Sequence, residues 1–367
     1  MTFDLRRFIR PHLADYQPYT SSSAAAAQWR SAVPPEDLVK LDANENAYGP
    51  SPRVLEALSN QRWYHRYPDY EQTAVREALA DYTGLSPEHI VLGNGSDELI
   101  ALLAQAFVGP EDTAVLPHPT FPMYATATTL VGGTVVSVPL TESFDLDLPR
   151  LTQAVDERTK LVFVTSPNSP AGNAVPIAQI EALAALDCLL VVDEAYIEFG
   201  GETVASWVRR LPNLVVLRTF SKWAGLAGLR VGYALAPEPI AALLHSLRAP
   251  YNVSVAGLVA AIASLEDRAY LMANVRAIIA ERERLARLLR EQGNLDPLPS
   301  QGNFLLCRLR RGQAADIHRR LAERGILVRH FADEPRLQHM LRVTVGKPEH
   351  TDKLLQALAG SASPTEA

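Results

Sequence analysis

Short, branched apolar runs recur through the first two thirds of the chain, and each ends in a polar or small-residue cluster. Leu161–Thr165, Leu189–Val192 and Leu214–Leu217 are the clearest, and Ala114–Leu116 and Ile90–Leu92 extend the series. Runs of this length without polar alternation read as strands covered on both faces, the pattern of a parallel sheet. After the glycine turn Gly93-Asn94-Gly95, residues Leu99, Leu102, Leu103 and Ala106 repeat at helical spacing, with Ser96 placed to cap the helix. Another helix starts near Pro52 and carries Leu55 and Leu58. Strands alternating with helices predict an α/β domain with a mostly parallel central sheet over residues 41–245.

Beyond Leu235 the pattern changes. Pro237–Leu247 reads as a helix and Glu266–Glu291 as a long charged one. Short strands near Phe304–Leu309, Gly325–Arg329 and Leu341–Val345 surround a helix at Ala314–Arg324, which predicts a smaller α+β domain over 246–360. Residues 1–40 form an arm, expected to pack with the small domain; it holds the low-complexity stretch Ser21–Ala27 and the helix-breaking Pro34-Pro35. Residues 361–367 are small and polar, a tail expected to be disordered.

Composition narrows the function classes. An apolar share of 47% over 367 residues is ample for a core, and two domains suit that length. A formal net charge of −6 argues against a nucleic-acid partner. The basic stretch Arg282–Arg290 alternates with Glu281, Glu283 and Glu291, so it reads as a solvated helix face. Cys188 and Cys307 lie inside apolar runs and read as free thiols in a reducing cytosol. The nine histidines show no HxxxH or Cys-His spacing, so no metal is expected. Met1–Arg10 has no apolar stretch of a signal peptide, and no run reaches membrane-spanning length.

The candidate chemistry sits at the ends of the apolar runs. Leu214–Leu217 leads to Thr219-Phe220-Ser221-Lys222, which places an amine just past a strand's C-terminal end, where open α/β sheets bind ligands. The glycine-rich stretch Ala224–Tyr233 after it lets backbone approach closely. Leu189–Val192 leads to Asp193-Glu194, and an acid there is costly to bury unless a cation meets it. Leu161–Thr165 leads to the rigid turn Ser166–Gly172. The turn before Leu99 offers free backbone N–H groups at a helix start, a phosphate site, yet it matches no mononucleotide or dinucleotide motif. Phe121, just past another strand, can stack on a flat ligand. Arg329 and Arg342, each beside a strand of the small domain, suit bidentate anion recognition.

Taken together, Asn44-Glu45-Asn46, Arg66-Tyr67-Pro68-Asp69, Gly95-Ser96-Asp97-Glu98, Asp193–Phe199, Ser221-Lys222 with Gly225–Arg230, and Leu341–Gly346 resemble the fold-type-I pyridoxal-phosphate aminotransferases, within them the histidinol-phosphate aminotransferase family. The resemblance covers nearly the whole chain. It implies pyridoxal 5'-phosphate as cofactor, bound covalently through Lys222, with Asp193 on the ring nitrogen, Tyr196 on the ring oxygen and Phe121 on the ring face. It further implies that Gly95, Ser96, Asp97, Ser221 and Arg230 hold the phosphate, and that Tyr67 reaches the neighbouring subunit's cofactor in a homodimer with shared sites. Tyr48, Arg329 and Arg342 are implied as substrate contacts, Arg342 for an α-carboxylate and Arg329 for the distal anion. The implied reaction moves the amine of histidinol phosphate to a 2-oxo acid, 2-oxoglutarate, in the cytoplasm.

One stretch departs from the family pattern. Asn168-Ser169-Pro170-Ala171-Gly172 stands where Asn-Asn-Pro-Thr-Gly is usual, so either Ser169 or a shifted Asn168 meets the ring oxygen. Other readings share the fold and cofactor: an aromatic amino-acid aminotransferase, or a decarboxylase of threonine phosphate. A sensing module of a transcription regulator would need a DNA-binding domain, for which an arm of about forty residues is too short.

Overall fold

The computed structural model describes residues 4–14, 16, 34 and 38–359. The low-complexity stretch 21–27 and the tail 361–367 lie outside the described residues. Strands run in chain order as β1 (Val39–Leu41), β2 (Ile90–Asn94), β3 (Thr113–His118), β4 (Thr134–Pro139), β5 (Thr159–Thr165), β6 (Leu189–Asp193), β7 (Leu214–Thr219), β8 (Val231–Leu235), β9 (Leu295–Pro297), β10 (Phe304–Leu309), β11 (Ile326–His330) and β12 (Met340–Thr344).

The larger sheet has the order β2-β8-β7-β6-β5-β3-β4, and only β8 runs against the rest. Alternate residues of each central strand enter different cores. Val162, Val164, Val192 and Val216 join one cluster, whereas Leu161, Phe163, Val191 and Val215 join the other. Both faces are therefore covered, which is why these strands read as unbroken apolar runs. β8 was hidden in the sequence because Gly232 and its neighbours look like loop. A side chain at Gly232 would put its Cβ 2.4 Å from Ser96 N, so only glycine lets this strand pass the turn after β2.

The smaller sheet has the order β1-β11-β12-β10-β9. β1 pairs parallel with β11, so Val39 and Lys40 of the expected arm do join the small domain's sheet. His12, further back, instead places Nε2 3.3 Å from Leu130 O on the large domain. The helix Val255–Glu266, although past residue 245, packs on the helices Pro52–Asn60 and Thr73–Thr83. The two bodies also meet through the segment between β11 and β12. Arg336 donates to Leu140 O at 2.8 Å and to Thr141 O at 2.6 Å, and Glu334 meets His118 at 2.6 Å.

Candidate active site

The C-terminal ends of β5, β6 and β7 bring Thr165, Asp193 and Thr219 to one edge of the larger sheet, with Thr165 and Asp193 as register partners. Two cavities open there, of about 320 and about 330 Å³, and share Ala43, Phe121, Ser169, Tyr196 and Lys222 as a common wall. The inner one reaches Ser96, Asp97, Asp193, Ser221 and Arg230. The outer one reaches Arg329, Arg342, His118 and Glu334. Lys222 thus borders both, with Nζ 3.2 Å from Ala43 O.

Asp193 and Glu194 solve the burial problem in different ways. Glu194 points away from the cavities and takes Arg218 at 2.8 Å, a buried ion pair. Among the described residues Asp193 has no such cation. Its Oδ1 accepts from Ala195 N at 3.0 Å and its Oδ2 from the Tyr124 hydroxyl at 2.7 Å. Burial pushes its carboxyl up to about 6 against those two donors. A buried carboxylate facing a cavity in this state suits a cationic ring nitrogen.

The inner cavity also fits a phosphate. Ser96 was expected to cap its helix, but Gly95 is the cap residue, with φ 76°, and no side chain bonds the helix start. The first backbone N–H groups of Ser96–Phe107 are thereby left for a ligand. Gly95 does not line the cavity; Arg230 lies across it, and Nη2 of Arg230 reaches Asp97 Oδ2 at 2.7 Å. Ser221, which also lines this cavity, accepts from Thr219 at 2.9 Å. Uncapped helix start, arginine, buried carboxylate and lysine together match the groups pyridoxal 5'-phosphate presents: phosphate, ring nitrogen and aldehyde.

The 42–44 segment, which follows β1, was missed as a site element. Asn44 is buried with φ 54°; its Nδ2 donates to Tyr196 Oη at 3.0 Å and its Oδ1 accepts from Thr344 at 3.2 Å. Arg342 donates to Asp42 O at 2.8 Å and to Ser169 Oγ at 3.0 Å. The sequence carried the Asn44-Glu45-Asn46 signal but no sign of what it touches, because the contacts lie 152 and 300 positions away.

Asn168 and Tyr48, like Gly95, line neither cavity. Asn168 spends its amide on Pro119 O at 3.2 Å and on the Thr120 hydroxyl at 2.9 Å, so Ser169 is the one facing the cavities. Tyr48 borders neither cavity and has Lys347 Nζ 5.6 Å from its ring centre. Tyr67, expected to serve a neighbouring subunit's cofactor rather than this chain's, is 80% exposed and stacks on Tyr251 at 4.5 Å. Trp223, next to the lysine, is fully buried against Tyr82 and Phe220. Among the described residues no group of His, Cys, Asp or Glu forms a metal site, and no helix is long and apolar enough to cross a membrane.

Comparison with known proteins identifies the family and its relatives. The family model of aminotransferase class I and II matches residues 36–358. A histidinol-phosphate aminotransferase of Dehalococcoides mccartyi is 44% identical over 358 residues, covering 98% of this chain and 99% of the relative. One from Roseiflexus castenholzii is 45% identical over 368 residues, at 98% and 99% coverage. The crystal structure of the Sinorhizobium meliloti histidinol-phosphate aminotransferase in complex with pyridoxal-5'-phosphate superposes with a TM-score of 0.87 at 30% identity, covering 96% of this chain and 97% of that one.

Proposed function

The chain belongs to the class I and II aminotransferases, and we propose that it transfers the amino group of histidinol phosphate to 2-oxoglutarate with pyridoxal 5'-phosphate as cofactor. One observation carries the substrate class. Arg329 and Arg342 are direct partners across β11 and β12, and both line the outer cavity that shares Lys222. Two guanidinium groups on one sheet face can take a phosphate in one half-reaction and a carboxylate in the other.

When bound, pyridoxal 5'-phosphate supplies an aldehyde that takes up the substrate amine and a ring that draws electrons from the carbon bearing it. The residues do the rest. Backbone N–H groups of Ser96 and Asp97, with Ser221 and Arg230, hold the phosphate. Asp193 Oδ atoms hold the proton on the ring nitrogen by offering it a negative partner. Tyr196 accepts from Asn44, so its own O–H is free to donate to the ring oxygen, beside Ser169. Phe121, on the wall common to both cavities, supports the ring face. Lys222 Nζ takes the proton from the carbon that carried the substrate amine and holds it for return. Arg342 and Arg329 fix the substrate's anion, which keeps that carbon next to Nζ.

Exposed aromatic side chains at Trp63, Tyr64, Tyr67 and Tyr70 support a homodimer in which Tyr67 reaches the partner's site. The buried free thiol of Cys307 supports a reducing, cytoplasmic setting. The test is a single-turnover absorbance titration of cofactor-loaded protein with histidinol phosphate, phenylalanine and threonine phosphate. Histidinol phosphate is expected to convert the cofactor fastest by at least tenfold. A faster reaction with phenylalanine, or carbon dioxide release from threonine phosphate, overturns the reading.

A further inference from the structure

We propose that Tyr124 is a positioning residue that fixes the orientation and the charge of Asp193. The inference rests on the cofactor reading above only for its last step. Tyr124 lies in the first turn of the helix Met123–Leu130 and is fully buried. Its hydroxyl stands 2.7 Å from Asp193 Oδ2 and 2.8 Å from Thr165 Oγ1.

Counting protons gives these bonds a direction. A phenol has one proton to give, and an ionised carboxylate can only accept. The Tyr124 proton therefore goes to Asp193, and Thr165 must donate to Tyr124. Thr120 spends its own proton on Asn168 Oδ1, at 2.9 Å. With Ala195 N–H on Oδ1, each oxygen of Asp193 faces a donor from this chain. That arrangement favours the carboxylate over the carboxylic acid.

The opposing forces are also identifiable. Burial raises the Asp193 carboxyl, as do the charges of Asp97 and Glu194, whereas Tyr124 and Ala195 N–H lower it. Lys222 and Tyr196 share the cavity wall. Without the phenol oxygen, Oδ2 loses its donor in a dry place, and the neutral acid gains. An uncharged Asp193 no longer holds a proton on a cofactor ring nitrogen.

Tyr124→Phe isolates this role, because the ring's packing stays. It stacks on Phe163 at 4.7 Å and meets Phe121 edge-on at 5.7 Å. The experiment has two arms. In apoprotein labelled with ¹³C at aspartate carboxyls, with the Asp193 signal assigned through Asp193→Asn, Tyr124→Phe is expected to raise the titration midpoint by about one to two pH units. Thr165→Val, which removes the donor behind the phenol, is expected to move it the same way by less, and it serves as the test should Tyr124→Phe fail to fold. In loaded enzyme, Tyr124→Phe is expected to lower kcat about ten- to a hundredfold with KM little changed. An Asp193 midpoint equal to the parent's in both variants overturns the proposal. Because the first arm needs no cofactor, failure of the cofactor reading leaves it standing as a separate test.

Discussion

Replacing Gly232 by alanine tests the placement of the phosphate site through the backbone alone. The new Cβ would lie 2.4 Å from Ser96 N, 2.7 Å from Gly95 C and 3.0 Å from Ser96 Cα. Ordinary contacts of this kind are about 3.4 Å or more, so the turn and β8 must part by roughly 1 Å. No flexible side chain is there to yield, and β8 is held in register on both sides, opposite Gly93 and Thr219. Overpacking of this kind costs about 1–3 kcal/mol of stability. The larger effect falls on the ligand. Ser96 N–H is among the proposed phosphate donors, and each charge-assisted bond contributes about 1.5–3 kcal/mol. Misplacing one of them lowers cofactor affinity by roughly ten- to a hundredfold. Fluorescence titration of apoprotein with pyridoxal 5'-phosphate measures this, with circular dichroism to confirm the fold. A folded Gly232→Ala protein that binds the cofactor within about twofold of the parent would refute the assignment of the Ser96 turn.

Further expectations concern the other side chains. Lys222→Ala is expected to keep the fold and hold the cofactor noncovalently while single-turnover transamination drops by orders of magnitude; near-normal turnover would remove Lys222 from the mechanism. Arg329→Ala is expected to weaken histidinol phosphate about ten- to a hundredfold and to spare phenylalanine, and Arg342→Lys to impair both half-reactions. Equal losses for phenylalanine and histidinol phosphate in Arg329→Ala would show that Arg329 does not read the distal anion. Asp193→Asn is expected to lower turnover yet stabilise the apoprotein. A carboxyl moved from its ordinary value up to about 6 makes the folded state bind more protons than the unfolded one between those values. Apoprotein stability therefore falls as pH rises through about 4 to 6 and stays low above, a loss of up to about 3 kcal/mol. Urea titrations at pH 5 and 8 check this: a parent no less stable at pH 8 relative to Asp193→Asn contradicts it.

What the sequence revealed and what it hid have separable causes. Leu161–Thr165, Leu189–Val192 and Leu214–Leu217 were legible because a strand covered on both faces carries an apolar run with its polar residue at the open end. The positions of Lys222 and Asp193 at that end follow from the same pattern. β8 was not, because Gly232 answers to a neighbouring turn rather than to the strand. Tyr124 was not, because its meaning depends on Thr165 and Asp193 standing side by side, which only strand order decides. Ser96 looked like a cap by residue type, and its position one residue inside the helix could not be read from type alone. Asn168 and Ser169 are neighbours with similar chemistry, and only the path of the turn sends one to Pro119 and the other to the cavities.

Asn44 shows how narrow a single position can be. Its left-handed backbone, at φ 54°, favours glycine, asparagine and aspartate. Its side chain must donate to Tyr196 and accept from Thr344. Glycine brings no side chain, and aspartate brings no donor. Asparagine is the favoured residue that meets both demands, so a randomised library at this site is expected to return it most often. Most positions in a chain tolerate drift because backbone and side chain are judged separately. Here one residue answers to both, and the space of workable sequences narrows accordingly.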